Sequence, residues 1–284
     1  MIVSLSTACL YLYPLDWILA IARRAGFDGI ELVISPEVEW RGGAYVRRLA
    51  KKYSLQVFSV HPPLLQFPGW RGSFESIVPF LSRALRVTQD ARAPILVIHM
   101  PRSYDASVGV GREFVEGIVA ARERLSGTGP RLALENRARF TVRSNGLILS
   151  SPQDLRAFAD AHDFPMTLDT THLGSWDLDL LEAYAFFRGR LSNVHLSDLR
   201  EVSPRVERLA RLHSYVKQHQ LPGEGKLPLV ELLRALARDA YAGPITLELS
   251  PTALSIWNPR AAERKLKQAV EFVRQAVDDL CQKP

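Results

Sequence analysis

A chain of 284 residues with 47% apolar and 23% charged side chains has the composition of an ordinary globule, long enough to bury a core without covalent staples. Its two cysteines, Cys9 and Cys281, exclude a disulfide framework and any Cys-x-x-Cys pair, which fits free thiols in a reducing cytoplasm. The net charge of +6 suits a nucleic acid or a phosphorylated substrate and does not choose between them.

Residues 2–7 read as a first strand, followed by an amphipathic helix over 15–25 that stops at Gly26. A second strand spans 29–35 and a helix 44–52. The third strand, 55–60, ends at His61, and a long loop leads to a helix around 74–90. The fourth, 95–98, ends at His99, with a helix over 112–125. The fifth has its core at 132–134 and ends at Glu135, with a helix over 152–162 behind it.

The sixth strand, 166–168, ends at Asp169 and is followed by a helix over 178–187. The seventh, 191–194, ends at His195, with its helix at 227–239. The eighth, 245–247, ends at Glu248, and a helix over 260–281 follows. No basic segment precedes residues 2–5 and no apolar run approaches membrane-spanning length. Neither a signal peptide nor a transmembrane helix is therefore expected.

Eight alternations, with strand runs read as apolar on both faces, predict a parallel sheet covered by helices. At this length they fit a (β/α)8 TIM barrel forming one domain over 1–284 better than a doubly wound sheet. The doubly wound alternative favours a glycine-rich phosphate loop after the first strand, and residues 6–12 contain no glycine. One segment breaks the alternation. Residues 204–219 read as an extra helix between strands 7 and 8, serving as a lid or as simple packing on the barrel rim.

Strands three to eight each finish in a His, Asp or Glu after an apolar run: His61, His99, Glu135, Asp169, His195 and Glu248. In a (β/α)8 barrel such ends converge on one mouth. Crowding that many ionisable groups is costly unless a cation offsets the repulsion; the alternative is a network of mutual salt bridges and helix caps. Three carboxylates and a histidine suit Mn2+ or Zn2+ best, with Co2+ or Mg2+ as further candidates.

The motifs Ser-Val-His-Pro-Pro at 59–63, Val-Ile-His at 97–99, Leu-Ala-Leu-Glu-Asn at 132–136 and Leu-Asp-Thr-Thr-His at 168–172 occur in that order. Val-His-Leu-Ser-Asp at 194–198, Pro-Gly-Glu-Gly at 222–225 and Thr-Leu-Glu at 246–248 complete them. Together they resemble the xylose-isomerase-like barrel superfamily, which includes sugar and sugar-phosphate isomerases and epimerases and the endonuclease IV class of apurinic endonucleases. The resemblance is specific for the superfamily and not for the reaction.

That resemblance implies that Glu135, Asp169, His195 and Glu248 hold one divalent metal, as in the ketose epimerases, with Glu135 and Glu248 also exchanging the proton and His172 binding substrate. An isomerase or epimerase would then work through a metal-stabilised enediolate. In endonuclease IV the same positions belong to a trinuclear zinc cluster. His61 and His99 would add ligands to a second ion with Glu135, and His172 and His219 would hold a third with an aspartate two residues before the latter. This chain has Lys217 there, and it lacks the tyrosine expected after His61, where Pro62-Pro63-Leu64-Leu65 stands instead. Both departures weigh against the nuclease. A barrel that binds a ligand without turnover, or catalyses aldol cleavage or dehydration, is a third class.

Around the mouth, Arg71, Arg102, Arg137, Arg139, Arg143, Arg200 and Lys226 offer anion contacts. Arg137 and Arg139 are preferred because they follow Glu135 most closely. Lys217 favours substrate contact over metal ligation for His172 and His219. Phe67, Trp70, Trp176 and Trp257 fall on the same side of the barrel, for stacking, loop anchoring or a homo-oligomer interface. Cys9 faces the mouth side without a basic partner, and neither His162 nor His213 is assigned a role. The expected partner is a carbohydrate, with DNA only under the nuclease alternative and no membrane.

Overall fold

Several helices of this chain end on a residue with left-handed backbone, and a strand begins a few residues later. The helix Leu15–Ala25 closes on Gly26 (φ 91°), Leu81–Ala91 on Arg92 (φ 57°) and Pro152–His162 on Asp163 (φ 54°). The computed structural model describes residues 1–73, 75–125, 127–139, 146–203 and 216–281. Among them run β1 (Ile2–Ser6), β2 (Gly29–Val33), β3 (Gln56–His61), β4 (Ile95–His99), β5 (Arg131–Glu135), β6 (Met166–Asp169), β7 (Leu191–Leu196) and β8 (Pro244–Leu247). Each pairs in parallel with the next, and β8 pairs with β1 to close the barrel.

Helices cover the outside, so the expected (β/α)8 TIM barrel is the observed fold. Short helices at Pro36–Arg41, Thr170–Gly174 and Pro251–Leu254 were not expected from the pattern. Two of them start at a serine that accepts a backbone N–H, followed directly by proline. The helix expected around 74–90 starts only at Leu81, because Val78–Phe80 forms a tighter 3-10 turn around Pro79. Of the extra helix expected over 204–219, residues 204–215 lie outside the described residues. Among the described residues no helix is long and apolar enough to cross a membrane.

The two faces of the sheet differ, which corrects the expectation of strands apolar on both. Because side chains alternate along a strand, Val3 and Leu5, Ile30 and Leu32, Val194 and Leu196, and Ile245 and Leu247 point outward into the main apolar core beneath the helices. Their neighbours point inward. Ile95, Val97 and Ala133 form a separate small apolar cluster there. Other inward positions are polar and fully buried, among them Ser4, Glu31, Ser59, Thr167, Asn193 and Thr246. Four of them bond to one another: Ser59 Oγ and Asn193 Nδ2 donate to Glu31 Oε2, and Thr246 Oγ1 donates to Asn193 Oδ1. Ser4 Oγ and Thr167 Oγ1 have no hydrogen-bond partner among the described residues, so the bonds of the other four offset only part of the cost of burying this layer.

One glycine marks close packing in the outer layer. A Cβ on Gly43, in the helix Gly43–Lys52, would stand 2.3 Å from the Val87 carbonyl oxygen and 2.8 Å from the Ala91 nitrogen, both backbone of Leu81–Ala91. Neither atom can yield without moving a helix. Gly43→Ala is therefore expected to lower unfolding stability by about 1–3 kcal/mol, read as an earlier midpoint in urea denaturation.

Candidate metal centre and active-site mouth

The strand ends deliver the anticipated side chains to one place. His61, His99, Glu135 and Asp169 are the last residues of β3 to β6; His195 is the penultimate residue of β7, and Glu248 directly follows β8. Glu135, Asp169, His195 and Glu248 are all buried, and one potential ligand atom from each lies within 4.8 Å of the others. His195 Nδ1 is 2.9 Å from Glu248 Oε2, 3.3 Å from Glu135 Oε1 and 3.9 Å from Asp169 Oδ2.

The other nitrogen of this imidazole reveals a residue that the strand-end pattern missed. His195 Nε2 lies 2.9 Å from Glu31 Oε2, a fully buried carboxylate on β2 across the barrel. With Nε2–H donating to Glu31, the Nδ1 side faces the three carboxylates, an arrangement typical of metal-bound histidine. The available signal was an acid inside an otherwise apolar strand, Gly-Ile-Glu-Leu-Val at 29–33.

Asp169 serves two ends at once. Its Oδ1 accepts the His172 backbone N–H and the Thr171 hydroxyl, which caps the helix Thr170–Gly174. Its Oδ2 is buried without a hydrogen-bond partner among the described residues. An orphaned carboxylate oxygen beside two glutamates and an imidazole nitrogen is what a divalent cation would satisfy. The donor set fits such an ion. Burial disfavours a proton on His195, but Glu31, Glu135 and Glu248 hold its pKa well above the ordinary value. Burial likewise disfavours ionised Glu135, yet His99 and His195 hold its carboxyl well below the usual carboxylate range. Glu248 is held down in the same way, against burial, chiefly by His195.

Two further groups adjoin the centre. His61, His99 and Glu135 form one, and Asp169, His172 and His219 another, each with potential ligand atoms within 4.8 Å of one another. His61 Nδ1 donates to the Pro62 carbonyl at 2.6 Å, which leaves Nε2 facing His99 Nε2 at 2.7 Å. His172 Nδ1 lies 2.9 Å from the Asn136 carbonyl oxygen. His219 has positive φ (53°), and its Nδ1 lies 3.2 Å from Ser197 Oγ.

Asp198 anchors the loop that carries His219. It is buried, and its carboxylate accepts the backbone N–H groups of Leu199, Gly223, Gly225 and Leu227. Its backbone also pairs with Gln220 in both directions. The motif Pro-Gly-Glu-Gly is thus wrapped around one carboxylate.

The remaining candidates separate. Arg137 and Arg102 line the cavity above the centre. Arg137 donates to the Met100 and Pro101 carbonyls, and its buried Nε has no partner among the described residues. Burial and the nearby Arg102 lower the Arg137 pKa to about 10. Arg139 does not line the cavity; its guanidinium lies 5.8 Å from the Trp176 ring centroid. Arg143 lies outside the described residues, as does His213. Trp176 Nε1 holds the Arg137 carbonyl at 2.7 Å, and Trp70 is fully buried against Phe80, so both are anchors rather than stacking platforms. Phe67 lines the cavity, and Trp257 is exposed. Cys9 does not open onto the mouth. It is buried, its Sγ accepts the Leu249 N–H at 3.0 Å, and burial pushes the thiol pKa up.

The chain belongs to the xylose isomerase-like TIM barrel family, whose family model matches residues 19–276. It is 27% identical over 297 aligned positions to an uncharacterized protein of Mycobacterium tuberculosis, covering 96% of each chain. Among solved structures it resembles D-psicose 3-epimerase from Clostridium cellulolyticum H10, with a TM-score of 0.70 and 16% identity over 98% of this chain and 99% of that one. It also resembles an AP endonuclease, family 2, from Brucella melitensis, with a TM-score of 0.65 and 17% identity over 88% and 94%.

Removing the Asp198 carboxylate leaves four backbone N–H groups without their acceptor. Asp198→Ala is expected to cost about 3–5 kcal/mol and to raise amide hydrogen exchange across residues 219–227 well above that of the barrel strands.

Proposed function

We propose that this chain is a divalent-metal-dependent isomerase or epimerase of a sugar, sugar phosphate or related polyol. The observation that carries this reading is the convergence of Glu135, Asp169, His195 and Glu248, with His195 turned toward the other three by Glu31. Mn2+ or Zn2+ suits three carboxylates and one imidazole best. A bound divalent ion supplies Lewis acidity to the substrate's carbonyl and adjacent hydroxyl. The protein does the rest. One of Glu135 and Glu248 removes the carbon-bound proton, and the other returns one to the opposite face or the neighbouring carbon. The carboxyl that removes the proton works in its ionised form, and the one that returns a proton must carry it beforehand.

His172 and His219, whose rings stand 5.8 Å apart edge to face beside this centre, bind substrate hydroxyls. Arg137, with Arg102 next to it, receives an acidic or phosphorylated substituent; a buried guanidinium without a carboxylate partner among the described residues favours that role. Arg139 is a weaker candidate because its guanidinium lies against Trp176. The D-psicose 3-epimerase that the chain resembles belongs to this class of enzyme.

The three adjoining ligand groups, which share Glu135 and Asp169, favour a second reading as a multinuclear apurinic endonuclease. The recessed, largely apolar cavity above them supports the small-molecule reading instead, because nucleic acid is held mainly by open basic surfaces.

Metal analysis of unchelated protein is expected to give about one ion per chain for the epimerase and two to three for the nuclease. The substrate should exchange a carbon-bound hydrogen with D2O or transfer it internally. Glu135→Gln and Glu248→Gln should each lower turnover by at least about 100-fold. Incision of duplex DNA at an abasic site, abolished by Glu135→Ala, would overturn the proposal.

Glu31 makes a separate demand. Glu31→Gln keeps the shape but removes the charged partner of His195, so metal affinity should fall roughly 10- to 100-fold. Calorimetric titration with Mn2+ or Zn2+ checks this independently of any substrate.

A further inference from the structure

The mouth of the barrel is chemically divided. Strands β3 to β8 end in the ionisable groups described above, whereas β1 and β2 contribute none: β1 runs into Ser6 and Thr7, and β2 into Val33 and Ile34. The cavity that opens over the centre extends across this first sector. There its wall includes Leu15, Ile18, Val33 and Ile34, and Leu64 and Phe67 from the segment after β3 also line the cavity.

Several polar groups on the same wall already have partners within the protein. Thr7 Oγ1 accepts the Val33 N–H, and Ser35 Oγ accepts the Val38 N–H. Glu37 accepts the Leu15 N–H on one oxygen and the Tyr45 hydroxyl on the other. The Tyr13 hydroxyl donates to the Ile256 carbonyl. Their first calls are therefore not on a ligand. A polyol laid against this sector would leave hydroxyls unpaired, at a cost of about 1–3 kcal/mol each.

Size points the same way. The cavity measures about 520 Å³. A single hexose takes on the order of 180 Å³, counting each non-hydrogen atom as roughly half the 30 Å³ share of a liquid water. Leu65, 52% exposed, also lines the cavity, as does the Tyr11 ring, 43% exposed, which adds an aromatic face beside a hydroxyl.

We infer that the substrate is amphipathic: a sugar or polyol joined to a hydrocarbon or aromatic substituent, with the hydroxylated part at the centre and the substituent seated in the β1–β2 sector. The inference rests on the proposed reaction only in taking the carboxylate-rich centre as the reacting end. The wall supplies no chemistry. It supplies affinity and orientation, because burial of the substituent presents the same edge of the polyol to Glu135 and Glu248 each time.

The test is calorimetric titration of the full-length chain with methyl, butyl and hexyl β-D-glucopyranoside, below micelle-forming concentrations. Affinity is expected to rise about threefold to fourfold per added methylene. Leu65→Asp, at an exposed position that folding tolerates, and Leu64→Asp should each weaken the hexyl compound about tenfold or more. Both should leave the methyl compound unchanged. Hexyl glucoside that binds no better than methyl glucoside, including no binding by either, overturns the inference. So does an alkyl gain that survives both substitutions. Because the titration reads binding alone, a failed subsite leaves the D2O exchange experiment standing. Absent exchange, conversely, sinks the reaction without touching the alkyl gain.

Discussion

His195 is held between two sets of acids, and the architecture around the mouth follows from that suspension. Beneath it, Glu31 takes up Nε2 from across the barrel; above it, Nδ1 faces Glu135, Asp169 and Glu248. A fully buried carboxylate such as Glu31 is tolerated only with charged or hydrogen-bonding partners, and Ser59, Asn193 and His195 provide them on a single oxygen. The imidazole therefore orients the centre and balances charge at two depths.

This need explains why the barrel interior departs from the usual layers of branched apolar side chains. Asn193 lies two residues before His195 on β7, on the same face, and its Oδ1 accepts the Thr246 hydroxyl from β8. The polar layer supports the ligands from below, while Ile95, Val97 and Ala133 keep a small apolar cluster beside it. Support from the sides comes from carboxylates at element boundaries. Asp169 caps a helix with one oxygen and offers the other to the centre, and Asp198 gathers the loop that presents His219.

The strand-end residues were legible because each follows an apolar run and precedes a turn or helix, so a break in polarity marks them. Glu31, Ser59 and Asn193 were not legible in that way. They sit inside the runs, where alternation turns them inward, and strands of five or six residues are too short for the pattern to stand out from scatter. For Trp70 and Trp176 the sequence left stacking, anchoring and interface open. Their positions after strand ends are compatible with each, and packing against Phe80 and the bond to the Arg137 carbonyl makes them anchors.

The sequence by itself determined the eightfold alternation, the closed parallel barrel and the six ionisable groups at its mouth, because local periodicity and chain order settle which residues end each strand. Barrel closure decided the rest. It brings Glu31 within hydrogen-bond reach of a histidine 164 positions away, joins Cys9 to Leu249 behind the mouth, and leaves one sector of the cavity apolar. These contacts run between strands and loops distant in the chain. They exist only once the first strand has paired with the last.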